Sequence, residues 1–114
     1  MESSLALLAI KALDGLNARA TVTAQNIANA NTRNYRPERV SFEDALKQAA
    51  ALGDDAVAAM EPKVEQVQGT GPRSELRLDL EAGTAAATAG RYSAVVEVLS
   101  RELQLQSLAI TGSN

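Results

Sequence analysis

Neither cysteine nor histidine occurs anywhere in the 114-residue sequence. Without thiols there is no disulfide, no thiolate nucleophile and no cysteine-based metal site. Without imidazole, the commonest general base and the commonest metal ligand are missing as well. Most familiar hydrolase and zinc chemistries are thereby excluded. Aromatic side chains are nearly absent, with one Phe, two Tyr and no Trp. Burial must therefore come from Leu, Val, Ile and above all Ala. Small side chains let helices approach closely, yet each removes little apolar area from water. A chain built this way stands to gain much of its stability from partners that bind its folded form.

Charge is balanced, with a net value of −3 and no basic cluster, so no nucleic-acid partner is expected. No stretch is apolar and long enough to cross a bilayer. Residues 1–10 begin with the acidic Glu2 and lack the basic region of a secretory signal, so no cleaved leader is expected. The length suits one domain.

Helical periodicity is what the sequence does contain. Leu5, Leu8, Ala12, Leu16, Ala20, Thr23, Ile27 and Ala30 recur in steps of three and four, which marks one face of a helix. Ser3 or Ser4 supplies an N-cap. The helix should end within Asn29–Asn34, where Asn tolerates the left-handed conformation and Pro37 disfavours helix at Arg36. Ser41–Leu52 reads as a short helix, with Ser41 and Asp44 approximating a capping box and Phe42, Ala45, Leu46 and Ala49 on one face.

The alternations at Lys63–Gln68 and Glu75–Leu80, around the turn Gly69-Thr70-Gly71-Pro72, predict a small β-hairpin or extended arm. Residues 81–110 are helical again. One stripe runs through Ala85, Ala89, Tyr92, Val96, Leu99, Leu103 and Ile110, and a second through Val95, Val98, Leu105 and Leu108. An apolar surface this wide exceeds what one partner helix covers, so coiled-coil-like self-assembly is expected.

The predicted fold is mainly α. Long N- and C-terminal helices pack as an antiparallel coiled-coil-like pair, with a short helix and a small β-hairpin or arm between them. Residues 1–32 and 81–114 form a discontinuous helical domain, and 33–80 connect its halves.

Polar clusters read quietly by the same standard. Gln25 and Asn26 are candidates for fixing register between packed helices, beside the plainer reading of a polar helix end. Arg33, Arg36 and Arg39 read as a solvated loop making inter-subunit ion pairs. Asp54-Asp55, and Asp79 with Glu81, read as solvated charges, because nothing separates their ionisation for acid–base work. No enzymatic activity, cofactor, metal or small-molecule substrate is expected.

The run Asn26-Ile27-Ala28-Asn29-Ala30-Asn31-Thr32-Arg33-Asn34-Tyr35 resembles the N-terminal signature of the flagellar rod, hook and hook-associated protein family. Arg33-Asn34 stands where that family usually has Pro-Gly. Asn34 is the residue next most tolerant of positive φ after Gly, so the turn is expected to survive. Val40–Leu46 is similar to the segment that follows the signature in proximal-rod members. Leu78–Glu81, Arg91-Tyr92-Ser93-Ala94, Leu99-Ser100-Arg101 and Leu108-Ala109-Ile110 are similar to the family's C-terminal helix and its approach.

The resemblance implies a structural subunit of the basal-body rod, which spans the periplasm and serves motility. It also implies passage through the flagellar type III export apparatus without a cleaved signal. Its implied partners are further copies of itself, the rod proteins FlgC, FlgF and FlgG, FliE, and the export gate and MS-ring base. Leu5, Leu8, Leu16 and Ile27 would pack with Tyr92, Val96, Leu99, Leu103 and Ile110 within and between subunits. Asn26, Asn29 and Tyr35 would set the helix end and the chain path beyond it. A soluble helical-hairpin adaptor or export chaperone, a stable monomer or dimer with folded termini, is the alternative class, and another rod-family subunit such as FlgC is the alternative within the family.

Overall fold

The structure, a computed structural model, describes residues 3–67 and 78–112. The elements run α1 (Ser4–Ala28), β1 (Glu38–Ser41), α2 (Glu43–Leu52), α3 (Asp54–Ala59), β2 (Lys63–Gln66) and α4 (Leu78–Thr111). The two long helices pack against each other. They are antiparallel: Asn26, near the end of α1, meets Glu81, near the start of α4, while Asn17 lies by Tyr92. The molecule measures 65 × 26 × 15 Å, and a body only 15 Å thick leaves few side chains out of reach of water.

Helix α1 starts where the sequence predicts. Ser3 is its N-cap and accepts the Ala6 amide at 3.0 Å. It ends at Ala28, with Asn29 as C-cap. Another face of α1 carries the apolar core, where Leu16 and Val22 meet Val40, Phe42, Leu46, Ala49, Val57 and Met60, with Val95 of α4 packed at its edge. Two polar ties hold α3 to α1: Ser4 Oγ donates to Asp54 Oδ2 at 3.0 Å, and Lys11 Nζ donates to the Met60 carbonyl at 3.1 Å.

Phe42, the only phenylalanine, sets the packing of this core. Its ring lies flat on Gly15, where an added Cβ would stand 2.4–2.5 Å from three ring atoms. The Arg19 guanidinium covers the ring, with Cζ 4.9 Å from the centroid. Arg19 also grips Glu43 through both Nη atoms, at 2.6 and 2.8 Å, and donates to the Val40 carbonyl at 2.9 Å. The Arg19 hydrogen bond, opposed by burial, holds the Glu43 carboxyl down at about 2.

Three expectations for the middle of the chain are corrected. The capping box does not form: Ser41 lies in β1, and Phe42 occupies the α2 N-cap without a side-chain bond. Burial of the ring against Gly15 fixes residue 42 and leaves Ser41 to pair with Lys63. The Lys63–Gln68 strand does form, over Lys63–Gln66, but its partner is β1, antiparallel, with Val40 opposite Val64. Of the expected second strand, Leu78–Leu80 belong to α4 instead, and residues 75–77 lie outside the described residues. Its three-residue alternation of Leu78 and Leu80 leaves both side chains exposed.

Helix α3 had no signal in the sequence. Six residues give less than two turns of periodicity, and Gly53, at φ 126°, joins it to α2 through backbone that favours glycine.

Candidate assembly surface and the Asn26 junction

The signature segment folds into a hydrogen-bonded junction around Asn26, whose side chain is fully buried. Its Oδ1 accepts the Tyr35 hydroxyl at 2.7 Å and the Glu38 amide at 3.0 Å. Its Nδ2 donates to the Glu38 carbonyl at 3.0 Å and to Glu81 Oε2 at 3.2 Å. One amide thus joins the end of α1, the loop, the first residue of β1 and the first turn of α4. Every hydrogen-bonding position of the amide is used, which is the condition for burying it without penalty. Partial burial, then the carboxylates of Glu38 and Glu81, raise the Tyr35 phenol above its ordinary value, so it stays a donor.

Glu81 is 2% exposed, which corrects the expectation of a solvated charge. Arg39 Nη1 stands 2.7 Å from its Oε1. That oxygen accepts no aligned hydrogen bond among the described residues, so charge rather than hydrogen-bond geometry holds it. Arg39 accordingly serves an ion pair within the chain.

The rest of the signature makes the helix end. Asn29 Nδ2 donates to the Gln25 carbonyl at 2.9 Å, and Thr32 Oγ1 donates to Asn29 Oδ1 at 3.1 Å. Ala30 is half-buried, while Ala28 and Asn31 are exposed. Asn34 takes φ 66°, the one positive value at a non-glycine among the described residues. That is the left-handed conformation expected of Asn34 at this turn. Asn26 reaches across to α4, as a register-fixing residue should, whereas Gln25 is exposed.

The packing residues divide by position. Leu16 is buried at 3% against the Phe42 side of α1, so it is core and not assembly surface. Leu8 packs at the edge of that core, and Leu99 is half-buried. Leu5, Ile27, Tyr92, Val96, Leu103 and Ile110 are all exposed. The face of α4 turned to α1 instead carries Glu81, Thr88, Val95, Leu99, Glu102 and Gln106, the only α4 side chains that are buried or half-buried apart from Thr84 and Ala85. Glu81, Thr88, Val95 and Glu102 recur every seven residues, as a seam between packed helices does. Because most of that seam is polar, apolar periodicity points to the flank beside it.

The flank is left open. Tyr92, Val96, Leu103 and Ile110 line one side of the seam, while Val98 and Leu105 line the other; Leu105, Leu108 and Ile110 are 56%, 64% and 75% exposed. Beside the seam runs a groove of about 450 Å³ lined by Asn17, Ala20, Ala24, Ile27, Ala89 and Tyr92. Its alanines leave room for a neighbouring side chain or helix to approach closely.

Among the described residues, no group of three or more acidic side chains is placed to hold a metal ion. No described helix is long and apolar enough to cross a membrane. No family model and no curated protein matches the sequence.

Proposed function

We propose that the chain is a structural subunit of the proximal rod of the bacterial flagellum, of the FlgB type, assembling through α1 and α4 into the axial tube. The observation that carries this reading is the uncovered apolar flank of α4, from Tyr92 through Val96 and Leu103 to Ile110. A contiguous apolar strip of this kind marks a surface made for another protein. A strip along one side of a long helix also suits the repeated head-to-tail contacts from which a tube is built.

In this reading the Asn26 junction sets where α1 stops and where α4 begins alongside it. The groove beside Tyr92 receives a neighbouring helix, and α2, α3 and the two strands pack on another face of α1. FlgC, FliE and further copies of the chain are the neighbours. The absence of cysteine and the scarcity of large aromatics suit passage through an export channel in an unfolded state and refolding on site.

The test is mass spectrometry of purified hook–basal bodies from the source organism. Enrichment with other rod components supports the proposal; absence there, with abundance in the cytosol, refutes it in favour of an adaptor. Leu103→Pro, which breaks α4 at an exposed site, is expected to abolish rod assembly and swimming while the chain is still made.

A further inference from the structure

We infer that the outer edge of β2 is a pairing site for the β2 edge of a second copy of this chain, forming a two-fold, four-stranded antiparallel sheet. Hydrogen-bond alternation identifies which groups face outward. Val67 N–H donates to the Pro37 carbonyl at 2.9 Å, so residue pairs 37–67, 39–65 and 41–63 point at each other. Val64 and Gln66 on β2, and Glu38 and Val40 on β1, must then turn their peptide groups away from the partner strand.

The two outer edges are treated differently. On β1, the Asn26 amide takes both the N–H and the C=O of Glu38, and Arg19 takes the C=O of Val40. That edge is sealed by α1. On β2 the outward N–H and C=O of Val64 and Gln66 meet no described residue, and every residue of the strand is exposed. A free strand edge is a template for another strand.

Self-complementarity names the occupant and the register. In an antiparallel pairing with Val64 opposite Val64 of the second copy, the two valines exchange both of their peptide hydrogen bonds. Each Gln66 N–H then meets the Pro62 carbonyl of the other copy. Lys63 falls opposite Glu65 of the second copy, twice by symmetry, so opposite charges face each other across the strands. The next register that keeps the outward groups paired sets Glu65 against Glu65, which like-charge repulsion disfavours. Within one chain Lys63 and Glu65 already lie 2.7 Å apart on the open face, placed to share charge across the join. A two-fold pair closes on itself and cannot propagate a polar tube. It is therefore a contact of the free chain, independent of the rod proposal.

The chain has no cysteine, so Val64→Cys would carry the only thiol. Opposed residues in a hydrogen-bonded pair have Cα atoms about 5.5 Å apart, within the range a disulfide spans. Under mild oxidation of the full chain alone, V64C is expected to form a covalent dimer at least about tenfold faster than Leu52→Cys, an exposed control on α2. In the V64C background, Lys63→Glu or Glu65→Lys should each slow cross-linking, and the two together should restore it. Cross-linking of V64C no faster than L52C overturns the proposal and leaves the edge to a different protein. Faster cross-linking by Glu65→Cys than by V64C, or no recovery in the charge swap, overturns it too.

Discussion

Replacing Gly15 with alanine tests the packing of the core, because two well-separated effects oppose each other at that position. In a helix interior the added methyl is favourable by about 0.5–1 kcal/mol, since it limits the unfolded chain. Against this, the new Cβ would stand 2.4–2.5 Å from Cγ, Cδ1 and Cδ2 of Phe42, whereas carbon atoms in contact prefer about 3.5–4.0 Å. The ring must therefore withdraw by about 1 Å.

Withdrawal is costly, because Phe42 is 4% exposed and is covered by an Arg19 side chain that is itself tied to Glu43 and Val40. Forcing a methyl into such a site costs about 1–3 kcal/mol, so the net effect is destabilisation by about 0–2.5 kcal/mol. Urea unfolding followed by helical circular dichroism measures it as a lowered midpoint at unchanged slope. Gly90→Ala is the matched control: nothing lies within 4 Å of its added Cβ, so the same substitution should stabilise by about 0.5–1 kcal/mol. Stabilisation by both variants would refute the packing account. Gly15→Ala combined with Phe42→Leu should lose less than the sum of the two single changes.

Asn26→Ala strands the Glu38 amide, the Tyr35 hydroxyl and Glu81 together and should cost about 3 kcal/mol or more in urea unfolding; a loss under about 1 kcal/mol would contradict the junction. Asn34→Gly should leave stability nearly unchanged, while Asn34→Val should cost about 1–2 kcal/mol because φ 66° crowds a β-branched side chain. Equal thermal midpoints for the two would remove that distinction. Glu43 is depressed from 4.5 to about 2, so its contribution is whole above about pH 4.5 and is lost as pH falls toward about 2. Its side chain is 49% exposed, which solvent screening reduces to a loss of about 1 kcal/mol. Glu43→Gln should remove that part of the acid dependence.

Several elements were legible because their determinants are local. Ser3 caps α1 with its own hydroxyl, the asparagines of residues 29–34 end it, and apolar steps of three and four extend both long helices. The middle of the chain was not legible, and its reason is physical as well. Ser41 has the chemistry of an N-cap, but the distant Gly15 surface claims Phe42 and leaves Ser41 to the strand. Lys63–Gln66 has strand character, yet nothing nearby states that its partner lies before α2 rather than after the glycine turn. The seam of α4 escaped notice because Glu81, Thr88 and Glu102 are polar, and periodicity arguments count apolar residues.

By itself the sequence determined the two long helices, the left-handed turn at Asn34 and the poverty of chemical groups, since caps, turns and side-chain inventory act over a few residues. Tertiary structure alone decided that Glu81 is buried, that Arg39 pairs with it, that β1 is the partner of β2 and which face of α4 meets α1. Each of these depends on groups far apart in the chain, and burial of Glu81 becomes tolerable only once Asn26 and Arg39 are brought to it.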